Sequence, residues 1–184
     1  IRNLLHEHVH YLDGRFNTAG DFADALRAGI VWWVEGLAEY ISLGDINDSA
    51  MEAAVAGSRL LSEIFTTDYS DETGDIYDQS YLAVRFFFEQ RSNDLSSLLR
   101  LFRQARYHGV DDSYSAFVDD IGTSLDAAFS SWVDATVDRT QAENIALKDF
   151  SLVGGASEGG GIEASIAEGE GAVLLFTWPP PAEG

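Results

Sequence analysis

The sequence contains no cysteine among its 184 residues, and only one of its basic residues is a lysine, Lys148. The absence of thiols excludes disulfides and thiolate metal sites, so any metal ion must be held by His, Asp or Glu. No run approaches the ~20 apolar residues of a membrane-spanning helix. The sequence also lacks the basic and apolar segments of a secretory signal peptide at its start, and a membrane span is not expected.

Acidic residues outnumber basic residues by 31 to 11, which gives a formal net charge of -20. A nucleic-acid partner is not expected, because phosphate backbones are bound by basic surfaces. The simplest interpretation of the acidity is a heavily solvated surface. An excess of aspartate with almost no lysine also suits a protein that works in high salt, where charge repulsion is screened.

Apolar residues recur at helical spacing through residues 1–149, which predicts a mainly α fold for this body. The first helix is predicted at residues 1–11, with Gly14 as its stop signal, and its apolar stripe comprises Leu4, Leu5, Val9 and Leu12. A second helix is predicted at 21–41, with Gly29 as a potential break. Further helices are predicted at 49–65 with Ser49 as the cap, at 76–91, at 94–109 and, as two short helices joined at Gly122, at 113–137. The acidic stretch 66–75 is predicted to be a loop.

The composition changes after the helical body. Residues 154–171 are rich in glycine and glutamate, which is typical of a linker, and residues 172–181 form a strand-like run that ends in three prolines. We therefore predict one domain over residues 1–149, followed over 150–184 by a glycine-rich linker and the start of a further segment with a short β-like tail.

His6 and His10 stand four residues apart in the pattern HExxH, and Glu7 directly follows the first histidine. Residues four apart lie on the same face of a helix, so both imidazoles can be directed at one ion. In this motif the glutamate lies beside the metal and acts as a base. The same pattern also occurs where polar residues simply line a helix surface, so the prediction depends on a third ligand.

The stretch WWVEGLAEY, residues 32–40, offers Glu35 as that third ligand and Glu39 one helical turn later. A catalytic zinc ion takes three protein ligands and keeps an open position. A carboxylate commonly accepts the other ring N–H of a ligating histidine. Exposed acidic pairs are common on helices, but this pair interrupts a strongly apolar run, where an unpartnered carboxylate is costly to bury. We predict a zinc site of His6, His10 and Glu35, with Glu39 in support.

Together, HEHVHYLDGRF and WWVEGLAEYIS resemble the microbial collagenases, secreted zinc metallopeptidases of the gluzincin group. The flanks carry the specificity, since HYLDGRF and the aromatic pair before the glutamate are far more restrictive than HExxH. The resemblance covers about residues 1–137. It implies the helical C-terminal part of a thermolysin-like metallopeptidase domain, without its upstream sheet. It also implies the same three ligands, with Glu7 as the general base and Glu39 behind them.

The resemblance further implies a tyrosine that hydrogen-bonds the developing oxyanion. Tyr77 in DIYDQSY is the candidate, with Tyr81 behind it, although both are equally well explained as core aromatics. His8 stands where the family more often has an aromatic residue, and its spacing from His6 turns it off the zinc face. A calcium ion near the zinc is common in the family, but its ligands lie mostly ahead of the HExxH helix, so calcium stays open. We interpret His108 as a cap of helix carbonyls.

The sequence thus predicts a secreted, zinc-dependent endopeptidase whose substrate is a protein or peptide, with collagen or gelatin expected. Glu7 takes the proton of the attacking water and passes it to the leaving amine, while zinc and Tyr77 hold the oxyanion. Two alternatives stay open. A gluzincin aminopeptidase or a general endopeptidase shares HExxH and the distal glutamate, and a fragment without its sheet could bind zinc and be inactive.

Overall fold

Helix follows helix through the body of the chain. The computed structural model describes residues 2–18, 28–108, 110–148, 155–156 and 162–163. The helices are α1 (Arg2–Phe16), α2 (Val31–Leu43), α3 (Asp48–Gly57), α4 (Leu61–Ile64), a π-helix (Asp75–Gln79), α5 (Ser80–Gln90), α6 (Ser92–His108), α7 (Val110–Ile121) and α8 (Asp126–Lys148). The prediction of a mainly α fold is confirmed.

The chain divides into two compact units, Ile1–Val137 and Asp138–Gly184. In the second unit, strand β1 (Gly155–Ala156) pairs antiparallel with β2 (Ile162–Glu163). The strand-like run predicted at residues 172–181 lies outside the described residues. Within the part of the chain that the structure describes, no helix combines the length and apolarity needed to cross a membrane.

Helix α2 lies at the centre of the first unit because apolar residues cover all its sides. It packs against α1, the π-helix and α5. Trp32 and Trp33, at most 1% exposed, lie among Phe65, Phe87 and Phe102, with ring centroids 5.0 to 5.9 Å apart. Aromatic pairs at such distances stabilise a core beyond their area burial. The carboxylates of α2 therefore project from a rigid helix.

Gly36 allows α2 and α5 to approach closely. A Cβ atom at Gly36 would lie 2.4 Å from the carbonyl oxygen of Ser80 and 2.9 Å from Cγ2 of Val84. No larger residue fits between these helices without moving one of them. Since Gly36 directly follows Glu35, this close approach also determines where the Glu35 side chain starts.

Helix α1 buries a different face from the predicted apolar stripe. Leu4 is 74% exposed, and Leu5 and Leu12 are each 40% exposed, whereas Val9 and Asp13 are buried. The helix packs against α2 through the side that carries the histidines, so most of the apolar stripe points elsewhere. The stripe correctly indicates a helix, but of its four residues only Val9 is buried.

Two predicted helix ends are also wrong. Gly14 does not end α1, which continues to Phe16; a glycine ends a helix by adopting a positive φ, and Gly14 is not among the glycines that do so. The single helix predicted at residues 49–65 is divided at Gly57, whose φ of 142° is open only to glycine, so α3 and α4 are separate.

Asn47, rather than the predicted Ser49, caps α3. Its Oδ1 accepts a hydrogen bond from the backbone N–H of Ala50 at 3.1 Å, and its extended backbone is the conformation an N-cap requires. Ser49 instead donates its hydroxyl to Asp78 at 2.8 Å. The predicted joint at Gly122 is correct, but α8 is long rather than short, because it continues to residue 148.

The helix predicted at residues 21–41 is described only in part, because residues 19–27 lie outside the described ranges. Its described helical part, α2, begins at Val31, directly after Gly29 and Ile30. Gly29 has a φ of 70°, a left-handed conformation that interrupts a helix.

Candidate metal centre

One turn of α1 brings His6 and His10 together on the side that faces α2. Their ring centroids lie 4.7 Å apart. On α2, Glu35 is 4% exposed, and its Oε2 lies 3.3 Å from Nε2 of His6 and 3.6 Å from Nε2 of His10. A ligand atom from each of the three side chains lies within 4.8 Å of the other two.

The donor chemistry and spacing of these three side chains fit a zinc ion. Two imidazole nitrogens and one carboxylate oxygen form a donor set used by catalytic zinc. Tetrahedral bonds of ~2.0 to 2.1 Å place neighbouring donor atoms ~3.3 Å apart. The two nitrogen-to-oxygen separations of 3.3 and 3.6 Å are close to that value. Three protein ligands also leave a fourth position for water or substrate.

Glu39 fixes the orientation of the His6 ring. Its Oε1 lies 3.0 Å from Nδ1 of His6, which favours a hydrogen on Nδ1 and a free electron pair on Nε2, the atom that faces Glu35. Arg2 donates to the other oxygen of Glu39 at 2.8 Å. These two contacts offset the free-energy cost of burying the Glu39 carboxylate, which is only 6% exposed.

Tyr69 holds the carboxylate of Glu35 by the oxygen that points away from the histidines. Its hydroxyl donates a hydrogen bond to Oε1 of Glu35, so Oε2 is the oxygen that faces the histidines. Tyr69 belongs to the stretch 66–75 that the sequence predicts only as a loop, and no sequence signal links it to a residue 34 positions earlier. Sequence reasoning missed this contact because only the folded chain creates it.

The negative groups of the centre stabilise positive charge within it, such as a proton on His10. The contact with Glu35 and the charges of Glu35, Glu7 and Asp13 raise the pKa of His10, although burial opposes this. Burial acts to raise the pKa of Glu35, but its contacts with His10 and Tyr69 lower the pKa overall. Burial and the hydrogen bond to Glu35 raise the pKa of Tyr69, so Tyr69 stays a donor.

Asp13 joins the histidine helix to the aromatic pair of α2. It accepts hydrogen bonds from Nε1 of Trp33 at 3.2 Å, Nδ2 of Asn17 at 3.0 Å and Oγ1 of Thr18 at 3.1 Å. Burial still raises the pKa of Asp13 despite these three donors. The contact with Trp33 connects the two sequence stretches that carry the motif, and it fixes how α1 sits on α2.

Glu7 and Tyr77 lie at the edge of the centre. Glu7 is exposed on α1, and its negative charge raises the pKa values of His10 and Tyr77. Tyr77 belongs to the π-helix, and its ring centroid lies 6.3 Å from that of His6. Burial, followed by the charges of nearby glutamates, raises the pKa of Tyr77, so its phenol stays protonated at neutral pH.

Among the described residues, Tyr81 and His8 contribute no ligand to this cluster. The hydroxyl of Tyr81 donates to the backbone oxygen of Gly44 at 2.7 Å, so Tyr81 is a core residue. His8 is exposed, and its ring lies 6.1 Å from that of Tyr11, on another side of α1. The side chain of His108 lies outside the part that the structure describes.

Comparisons with known proteins point to one family. Residues 1–132 match the family model described as collagenase. The microbial collagenase of Vibrio vulnificus (strain CMCP6) is 40% identical over 135 residues, 73% of this chain and 16% of that protein. The microbial collagenase of Vibrio parahaemolyticus serotype O3:K6 is 42% identical over 135 residues, 73% of this chain and 16% of that protein. The microbial collagenase of Vibrio alginolyticus is 40% identical over 139 residues, 74% of this chain and 16% of that protein. The chain thus spans about a sixth of the length of these relatives.

Proposed function

Since this chain belongs to the collagenase family of peptidases, we propose that it carries the zinc ligands and general base of a metalloendopeptidase that hydrolyses collagen or gelatin. The observation that supports this most directly is the convergence of His6, His10 and Glu35 within 4.8 Å. The substrate class follows the names of its relatives, and secretion is part of the same proposal.

The three proposed ligands come from two helices. His6 and His10 present Nε2 atoms from a single helix, so their spacing is fixed by backbone geometry. Glu35 contributes Oε2 from a second helix, and its charge offsets that of the cation. When bound, zinc supplies Lewis-acid chemistry, which lowers the pKa of a water molecule and polarises a carbonyl group.

Glu7 is the residue that moves protons. It is exposed on the helix that carries both histidines, so its carboxylate reaches solvent and a bound peptide alike. In the proposed reaction it accepts a proton from the attacking water and returns it to the nitrogen of the departing amine. Tyr77 stays protonated and donates its hydroxyl hydrogen to the oxyanion as charge develops.

Replacement of Glu7 by Gln tests this assignment in the zinc-loaded protein. We expect Glu7→Gln to retain zinc, measured by elemental analysis, and to lower kcat for a Gly-Pro-rich peptide by at least about a hundredfold, because general acid–base catalysis contributes ~10²–10⁴. Undiminished turnover would exclude Glu7 as the base.

Matched variants and substrates separate the alternatives. Glu35→Gln should instead lose zinc, because it removes a charged ligand. Cleavage of peptides with blocked ends indicates an endopeptidase, and cleavage only at free N-termini indicates an aminopeptidase. Bound zinc without turnover in the unaltered protein would indicate an inactive zinc-binding module.

A further inference from the structure

The π-helix that carries Tyr77 must be held by contacts outside itself. A π-turn holds one residue more than an α-turn and occurs mostly as a single turn within an α-helix. Each residue of an α-helix turns by ~100°, so relaxation of Asp75–Gln79 to α geometry would redirect Tyr77 by about that angle relative to α5. The position of the Tyr77 ring, 6.3 Å from the His6 ring between centroids, therefore depends on the π geometry.

Gln79, the last residue of the π-helix, binds the backbone between α3 and α4. Its Oε1 accepts a hydrogen bond from the backbone N–H of Arg59 at 3.1 Å, and its Nε2 donates to the backbone oxygen of Gly57 at 3.5 Å. Gly57 ends α3, so no later residue of that helix donates to its oxygen. The two ends of one amide thus connect the π-helix to residues 20 and 22 positions earlier.

The burial of Gln79 distinguishes it from two other side chains that tie the π-helix to its neighbours. Gln79 is 4% exposed. Asp75 pairs with Arg59 at 3.4 Å, but these side chains are 32% and 27% exposed, and the contact of Asp78 with Ser49 is also exposed. Exposed pairs contribute little, whereas removing a buried side chain leaves its hydrogen-bond partners unsatisfied. Gln79 therefore supplies the strongest of these three constraints.

Helix α2 contacts the next residue of the chain. The backbone oxygen of Ser80 lies 2.4 Å from the position of a Cβ atom at Gly36, and Gly36 directly follows the proposed ligand Glu35. The junction of Gln79 and Ser80 is thus held by both α2 and the segment 57–59, and Tyr77 lies two residues before it.

We propose that Gln79 is a positioning residue, which holds the π-helix so that the hydroxyl of Tyr77 is directed at the metal centre. Its amide binds the backbone of Gly57 and Arg59, so it acts on the reaction through Tyr77. This inference rests on the role of Tyr77 in the proposed peptidase function.

A double-mutant cycle tests this proposal in the zinc-loaded protein. Gln79→Met keeps the approximate length of the side chain and removes both hydrogen bonds. We expect it to lower kcat for a Gly-Pro-rich peptide about tenfold, with little change in KM or zinc retention, because a displacement of ~1 Å can cost up to ~10²-fold. In the Tyr77→Phe background it should lower kcat by less than about twofold, since the hydroxyl that it positions is already absent.

The measurement does not depend on how much of a variant is folded, because kcat is calculated per bound zinc. The same cycle with Gln79→Asn, which keeps an amide but is one methylene shorter, should show the same non-additive pattern. Gln90→Met is the matched control, because Gln90 is an exposed glutamine at the end of α5. It should leave kcat unchanged.

A spectroscopic readout separates this inference from the function on which it rests. Incorporation of 3-fluorotyrosine in place of Tyr77 gives a single fluorine NMR signal, which should shift with Gln79→Met and stay in place with Gln90→Met. An unshifted signal, or losses in kcat that multiply in the double variant, overturns the positioning role of Gln79 while the peptidase function stands. A protein that binds zinc and cleaves no peptide overturns the peptidase function, and the fluorine signal still decides whether Gln79 positions Tyr77.

Discussion

Two tyrosines lie at the candidate metal centre beside different partners, and these positions predict different roles. Tyr69 donates a hydrogen bond to the carboxylate of Glu35, which is a proposed metal ligand. The ring centroid of Tyr77 instead lies 6.3 Å from that of His6, and Tyr77 is the proposed donor to the oxyanion. A residue that holds a ligand affects metal affinity, whereas one that contacts the reacting group affects the rate.

Tyr69→Phe is expected to weaken zinc binding about tenfold, because partners that orient metal ligands contribute about 10–100-fold to affinity. Zinc retention is measured by competition with a chelator. Tyr77→Phe is the comparison: it should leave zinc affinity unchanged and lower kcat by about a hundredfold or more, the typical effect of losing an oxyanion donor. The reverse pattern would exchange the two roles.

Asp13 is expected to be a stability residue rather than a ligand. Oδ1 of Asp13 accepts from Asn17, and Oδ2 accepts from Thr18 and Trp33. Asp13→Asn replaces one of these two oxygens by an NH2 group, which then faces the donors of that oxygen. We expect a loss of ~1–3 kcal/mol in the free energy of unfolding, since buried donors lose their acceptor. Urea denaturation measures this free energy. Asp119→Asn, at an exposed position, is the control and should change the free energy of unfolding little. A neutral effect of Asp13→Asn would show that its hydrogen bonds contribute no net stability.

At the scale of elements, the site depends on three helical segments that meet around α2. Helix α1 presents the histidines, α2 presents Glu35 and Glu39, and the π-helix presents Tyr77. A π-helix inserts an extra residue into a helical turn and is frequent at functional sites. Here it lies at the start of α5, next to the close contact at Gly36.

Gly36→Ala is expected to separate α2 from α5, since its Cβ atom would lie 2.4 Å from a backbone oxygen that cannot rotate away. Overpacking of this kind costs ~1–3 kcal/mol, and the shift should also weaken zinc retention by displacing Glu35. Gly14→Ala is the matched control, because Gly14 is also helical but has no atom within 4 Å of its Cβ position. It should stabilise the protein by ~0.5–1 kcal/mol. Equal effects of both substitutions would contradict the close-packing argument.

At the scale of the whole molecule, the net charge of -20 should make stability depend on salt. Repulsion among acidic groups destabilises the compact state and is screened by ions. We expect the urea midpoint of the zinc-loaded protein to rise as NaCl increases from ~0.05 to ~0.5 M, over which the Debye length falls well below 10 Å. A midpoint independent of salt at pH 7 would show that the charges are too far apart to matter.

Local spacing determines the parts of the site that the sequence predicts by itself. His6 and His10 share a helix face because helical periodicity places residues four apart together. Similarly, the glutamates of α2 stand one turn apart within an apolar run. The helical content and the turn at Gly122 follow from the same local rules.

Only the tertiary structure decided which face of α1 is buried and which distant residues support the ligands. The apolar residues Leu4, Leu5 and Leu12 are exposed, because α1 packs on α2 through its polar side. The contacts of Tyr69 with Glu35 and of Asp13 with Trp33 join residues 34 and 20 positions apart. Such contacts depend on how helices rotate and approach one another, which is determined by the volumes packed between them, as at Gly36, and not by the spacing of residues along the chain.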